Sequence, residues 1–507
     1  MWMCGNGSLL AITIRNLLPF ATLFLTTPSI LETIFGVEPS AGHFFPSTSA
    51  FLVPNLATTS RFDSNMYYLK PVVVVGKIIV DEYGEPYPHL NNSDDSRSDK
   101  SEIKAAAPPK SVSIGGGGPQ AAFGAAAALA VWDRRSRFTG DNNIIPASEA
   151  LISNSTSVIF VAPVGKDWTE SETTALKSSL GASTSVVVHT ENSSFAASQN
   201  DPSKSPDFPI IQTHLIRSGC NKKSEENNGF FTPRIRMWHD QDQKAYWYPL
   251  NDSFGADGAD GLWRNNPSAE DLASIIEANK QNGGGNGVIL HGIAEAWTGA
   301  AGGRLDFLPL IENRDFLQRH LSFVGIEPVA SGESVTTEDA EVAASILHSC
   351  CETVEALSPA ENSVFWCPDR DLDQTMEEHD LYQGNNGSNI LLAVATRDGP
   401  RGSLLKEPLR SQDNECSPTS IPAASLRTND GDPIDPTGAG NAYSGAMTAL
   451  LGNGVKLTTA ACIASGVGAV VCEHEGLPPA SDWSLTINRI EAAAREVEAS
   501  LVESDNR

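Results

Sequence analysis

Pro71-Val72-Val73-Val74-Val75-Gly76 sets four consecutive valines between a proline and a glycine. β-Branched side chains fit a pleated strand, and a run without polar alternation fits a strand covered on both faces, as in a parallel sheet. Similar runs recur at 158–161, 186–189, 287–290, 323–326 and 390–396. Ala-rich or charged stretches of helical character separate several of them, at 121–132, 269–280, 339–357 and 457–472. This alternation predicts a doubly wound α/β domain: a three-layer α/β/α sandwich around a mostly parallel central sheet. Arg234-Ile235-Arg236-Met237-Trp238 and Lys244-Ala245-Tyr246-Trp247-Tyr248 alternate polar and apolar residues about a turn-prone centre. They predict a hairpin outside the main sheet, serving as a small β lid or as an extra edge.

At 507 residues the chain has room for two or three average domains, or for one large α/β domain with insertions. Residues 69–507 read as one domain, with polar surface insertions near 91–104, 197–206 and 221–228. Ile487, Ile490, Ala494, Val497 and Leu501 share one face of a C-terminal helix that is expected to pack against the sheet. Asp and Glu total 62 against 35 Lys and Arg, a net charge of -27. So acidic a surface repels nucleic-acid backbones and anionic membranes, and neither is an expected partner. The eight cysteines include no Cys-x-x-Cys pair, which argues against structural zinc and for buried reduced thiols.

Residues 1–68 read as a presequence or disordered N-terminal region. The apolar run at 17–27, preceded by Arg15, is too short to span a bilayer but suits a signal-peptide core. Ser49-Ala50-Phe51 resembles the cleavage motif of bipartite presequences in algae with complex plastids. A plastid address is thus slightly favoured, with a cytoplasmic start as the alternative, and no membrane association is expected once the presequence is removed.

Three stretches carry chemistry. Asp435-Pro436-Thr437-Gly438-Ala439-Gly440-Asn441 turns into a helix of small residues, so its backbone N–H groups converge at the positive end of a helix dipole. Such a turn is an anion hole or, more blandly, a capped helix start. Gly115-Gly116-Gly117-Gly118-Pro119-Gln120 opens a second Ala-rich helix and allows a close approach to a ligand. Asp81 follows the first strand, at the crevice where open α/β sheets bind ligands; the alternative is a solvent-exposed turn carboxylate.

Together these stretches resemble the signature of the pfkB (ribokinase-like) carbohydrate kinases, over about residues 70–500. The resemblance implies a ribokinase-like fold, ATP and magnesium as cofactors, and a sugar or similar small alcohol as substrate. Asp435, Thr437, Gly438, Ala439, Gly440, Tyr443 and Gly445 match the family's Asp-Thr-x-Gly-Ala-Gly-Asp segment with its following aromatic and glycine. Asn441 departs from it, standing where the family has its catalytic Asp. The resemblance assigns Asp81, Gly116, Gly117 and Gln120 to substrate, with Gln120 where the family has Asn. It assigns Thr396, Gly399, Gly402, Asp435 and Thr437 to the nucleotide. Val164-Gly165-Lys166-Asp167 resembles a family turn, and residues 473–478 resemble a divergent eukaryotic branch that includes the maintenance-of-killer proteins. Pro368-Asp369-Arg370-Asp371-Leu372 lacks the Glu of the family's magnesium segment, so no metal ligand is assigned. There is no Gly-x-x-x-x-Gly-Lys-Ser/Thr, which excludes a P-loop.

Asn can orient a hydroxyl but cannot take its proton. The expectation is therefore a slow phosphotransferase, with a catalytically silent sensor or scaffold that binds nucleotide or sugar as the alternative. Oligomeric state is open between a monomer and a dimer through the lid.

Overall fold

The computed structural model describes residues 69–85, 109–138, 157–181, 185–189, 210–217, 231–239, 245–250, 267–280, 287–295, 313–329, 335–357, 364–382, 391–407, 418–428, 433–478 and 483–505. The N-terminal region 1–68 and the insertions expected at 91–104, 197–206 and 221–228 lie outside them. Along the chain run β1 (Val72–Val75), β2 (Ile79–Tyr83), β3 (Ser111–Gly115), α1 (Gly117–Phe138), β4 (Ser157–Val164), α2 (Glu170–Leu180), β5 (Ser185–His189) and β6 (Ile210–Arg217). Then follow β7 (Arg234–His239), β8 (Ala245–Pro249), α3 (Ala269–Lys280), β9 (Val288–Glu295), α4 (Arg314–His320), β10 (Leu321–Val329), α5 (Thr337–Leu357) and β11 (Val364–Trp366). The last are α6 (Arg370–Glu378), β12 (Leu391–Arg397), β13 (Ser403–Lys406), β14 (Thr419–Ile421), α7 (Ala439–Gly452), α8 (Leu457–Cys472) and α9 (Trp483–Asp505).

Ten strands form the central sheet in the order β14-β13-β12-β11-β10-β9-β1-β4-β6-β5, parallel throughout except at β13 and β14. The valine run explains the layering. Val72 and Val74 point into a core shared with α1, α7, α8 and α9, while Val73 and Val75 point into a second core shared with α3, α4, α5 and α6. Side chains of period two on a strand buried on both faces require this split. The expected three-layer sandwich with a mostly parallel sheet is what the chain forms.

A second sheet, β3-β2-β7-β8, stands apart from the first. The anticipated hairpin is its β7–β8 pair, which is antiparallel with Arg236 opposite Tyr248. β2 joins it, parallel to β7, and β3 closes the other edge. This relocates Asp81: it sits within β2 of the small sheet, six residues beyond the end of β1, where the chain has left the main sheet to pair with β3 and β7. The C-terminal helix also differs from expectation. Its apolar face packs on α8 and α1 instead of on the sheet, since α8 and α1 already cover that face.

α1 and α7 meet backbone to backbone. A methyl group at Gly124 would lie 2.0 Å from the carbonyl oxygen of Ala442, and one at Gly445 2.2 Å from that of Ala121. Small residues at this crossing are a steric requirement. They bring the start of α1 beside the start of α7, where the two glycine turns meet.

Candidate active site

Gly438 caps α7 in the left-handed region, at φ 82, a conformation that favours glycine. The N–H of Ala439 bonds to Pro436 O at 3.2 Å, and that of Ala442 starts the helix ladder on Gly438 O at 2.9 Å. Gly440 and Asn441 lie between them in the first turn, where N–H groups have no intrahelical acceptor and face the end of the dipole. Gln120 presses on this turn: a methyl at Gly438 would come within 2.4 Å of its side chain. Gly117 lies close to Asn441, its missing Cβ only 2.8 Å from Nδ2. Gly438, Ala439, Gly440, Asn441, Gly117 and Gln120 are thereby brought together. Gly116 completes the link at φ 91, with Lys77 O 2.6 Å from where its Cβ would be.

The small sheet supplies the other wall. A Cβ on Gly115 would collide with the Asp81 carboxylate at 1.8 Å. Asp81 is 2 % exposed, and its Oδ1 has no hydrogen-bond partner. Burial, and then the charge of Asp435, push its carboxyl well above the usual range and toward the neutral form. Gln120 is 3 % exposed and its Oε1 likewise finds no partner. Buried polar atoms left in this state are rare in native proteins and suit a ligand bearing hydroxyl groups.

Asp435 braces the turn. Its carboxylate accepts from Tyr83 Oη at 2.7 Å, Thr437 N at 2.9 Å and Gly476 N at 3.4 Å, and Thr437 Oγ1 reaches Met237 Sδ at 3.7 Å. Asp435 and Thr437, two of the five residues expected at the nucleotide, thus tie the turn before α7 to β2 and β7. Thr396 is also engaged: its hydroxyl donates to Asp373 at 2.6 Å, a carboxylate that Lys406 Nζ also reaches at 2.6 Å. Gly399, at φ 52, has open space around it, whereas Gly402, at φ 97, packs against Ile421 O. Asp167 holds the start of β7 through Thr232 N at 2.6 Å.

The element that the sequence reading missed is Glu327, near the carboxyl end of β10. It is fully buried and accepts from Asn441 Nδ2 at 2.9 Å, from Ser444 Oγ and from the Arg397 guanidinium. His291 Nε2 is 3.9 Å away, but burial, against the pull of Glu327, lowers its pKa to about 4, so it is neutral and forms no ion pair there. Its Nδ1 pairs with Thr448 Oγ1 at 2.9 Å. Burial alone would lower the Arg397 pKa, yet Glu327, Cys367 and Asp369 hold it above its ordinary value. A Glu directly after the apolar run 323–326 was the available signal, because a charge seldom ends a doubly covered strand without a buried partner.

No cluster of three or more His, Cys, Asp or Glu suited to a metal ion occurs among the described residues. Asp369, one of the two carboxylates nearest the expected magnesium segment, caps α6 through Leu372 N at 2.9 Å. The carboxylates among the described residues are thus not grouped as a protein-held magnesium ion requires.

No protein-family model matches this chain. No curated protein matches it either. Among solved structures, the chain is similar to the nucleoside kinase of Methanocaldococcus jannaschii, an archaeal member of the ribokinase family. That likeness has 14% identity and a TM-score of 0.43, and covers 84% of this chain and 99% of that one. Ribokinase from Thermotoga maritima shows 12% identity over 83% of this chain and 100% of that one, at a TM-score of 0.41. A probable sugar kinase from Rhizobium etli shows 10% identity over 84% and 99%, at a TM-score of 0.46.

Proposed function

We propose that this chain is an ATP-dependent phosphotransferase of the pfkB carbohydrate kinase type, acting slowly on a hydroxyl of a sugar or similar small alcohol. The observation that carries the reading is the meeting of two unlike half-sites. One is the first turn of α7, which attracts an anion. The other is the pair of buried acceptors Asp81 and Gln120, whose free oxygens call for hydroxyl groups. A phosphate donor and a polyol are the ligands that satisfy both.

In this reading, the N–H groups of Gly440 and Asn441 hold the terminal phosphate of ATP. Asp81 and Gln120 fix the alcohol. Asn441 gives its Nδ2 to Glu327, which leaves Oδ1 to accept the hydrogen of the attacking hydroxyl. Positioning and charge stabilisation then do most of the chemistry. A loose transition state leaves proton loss late, the proton passing to the transferred phosphoryl group or to water as ADP leaves, so an amide in place of a base costs about 10²–10⁴ in rate rather than all of it. A role without turnover, as a nucleotide or sugar sensor, is favoured by the same Asn441–Glu327 bond, which commits the side chain without a base. The divergent eukaryotic branch and a plastid presequence over residues 1–68 belong to the same proposal.

The test is ADP release from ATP and magnesium across a panel of sugars, nucleosides and small alcohols. Acceptor-dependent turnover that disappears in Asp81→Asn supports the kinase. ATP binding without turnover on any acceptor supports the sensor, and absence of both ATP and sugar binding refutes the two readings together.

A further inference from the structure

We propose that Arg397 is a phosphate-binding residue of the cleft, carrying charge that a protein-held metal ion would otherwise carry; this rests on the nucleotide reading above. Arg397 ends β12 and reaches across the cradle. A methyl at Gly440 would lie 2.7 Å from its terminal nitrogen, so the guanidinium occupies the space that the missing side chain leaves at the start of α7. One terminal nitrogen bonds Glu327, and Nε lies 3.5 Å from Pro368 O. A guanidinium has five N–H donors in a fixed fork, and 16% of this side chain remains open. The terminal nitrogen that bonds Glu327 is also the one beside Gly440, so the buried carboxylate holds the guanidinium against the first turn of α7, where Asn441 bonds the same Glu327.

The local charges favour the same conclusion. Glu327 and Arg397 cancel and Asn441 adds nothing, while the Asp435 carboxylate is engaged by Tyr83 Oη, Thr437 N and Gly476 N. A further carboxylate at 441 would add one negative charge and repel an incoming phosphate. Gln120, buried with a free Oε1 and with its amide nitrogen against Gly438, is a separate observation that points to a ligand here and not only to a helix cap. The ligand class is a nucleoside triphosphate, held through its terminal phosphate.

The test is calorimetric titration of the whole chain with ATP in EDTA, for the wild type, Glu327→Gln, Arg397→Lys, and Arg397→Met combined with Glu327→Gln. The double variant removes the ion pair without leaving a buried charge alone. It is expected to bind ATP roughly ten- to a hundredfold more weakly, the worth of one or two charge-assisted bonds. Glu327→Gln frees the guanidinium from its partner and should bind at least as tightly as the wild type, and Arg397→Lys should fall between. Opposite directions for Glu327→Gln and the double variant cannot come from a merely structural ion pair, which would weaken binding in both. Equal affinity in all four overturns the assignment and leaves the nucleotide reading standing. Weaker binding in Glu327→Gln also overturns it, and decides the matter even if the double variant does not fold. Failure of the wild type to bind ATP, with or without magnesium, removes the nucleotide reading and this assignment with it.

Discussion

Asn441→Asp is the obvious substitution for restoring a catalytic base, but the surroundings of residue 441 predict a different outcome. Asn441 Nδ2 donates to a Glu327 oxygen 2.9 Å away, so the introduced carboxylate would face another carboxylate at that distance. Two unit charges so close repel by about 6 kcal/mol at an effective dielectric of about 20. Arg397, bonded to the same oxygen, offsets part of this. A net rise of about 3 pK units for the introduced group is expected, to about 7 from the ordinary 3.9. The folded state would then hold a proton that the unfolded state has released between those values, so stability falls as pH rises through that window. Destabilisation should be about 1–2 kcal/mol at pH 5, where the protonated acid replaces the lost N–H donor, and about 4 kcal/mol at pH 8. Urea unfolding of wild type and variant at the two pH values measures this. Adding Glu327→Gln should flatten the pH dependence and be the combination in which a base becomes available. A variant as stable as wild type at pH 8 would refute the Asn441–Glu327 bond and the role given to it.

Other consequences follow from the same packing. Asp81→Asn removes a buried carboxyl whose pKa is raised by burial and by Asp435; since a raised carboxyl loses stability as pH climbs, the variant should gain in thermal stability over wild type more at pH 8 than at pH 5, while losing turnover. Gly440→Ala would drive a methyl into the Arg397 guanidinium and should weaken ATP binding at least about tenfold with little loss of stability, read by calorimetry and thermal unfolding. Gly445→Ala, by contrast, forces α7 off α1 and should cost about 3 kcal/mol or more in urea unfolding, whatever the ligand.

The architecture was legible because its signals are local. Four valines in a row leave a strand no solvent face, and the Arg234–Trp238 stretch alternates as a half-covered strand must. β2 was not recognised because Gly76 to Asp81 reads as a continuation of the first strand; only tertiary pairing with β7 shows that the chain has changed sheets. The two glycine turns were read as ligand-binding, and their meeting is set by a contact no single segment reveals: the crossing of α1 and α7 at Gly124 and Gly445. Glu327 and Arg397 went unassigned for the same reason. Each is an ordinary charged residue at the end of its own strand, and 70 residues separate them. Asp435 and Thr396 show the reverse, since both match a motif while their side chains bond within the protein.

Label transfer from γ-³²P-labelled ATP to an acceptor tests the central claim most directly. The wild-type chain is incubated with magnesium and a mixture of sugars, nucleosides and small alcohols, and the products are separated by charge. The account predicts slow appearance of label in one phosphorylated alcohol, abolished by Asp81→Asn. Label found only in unreacted ATP or in inorganic phosphate, from a folded protein, would contradict it.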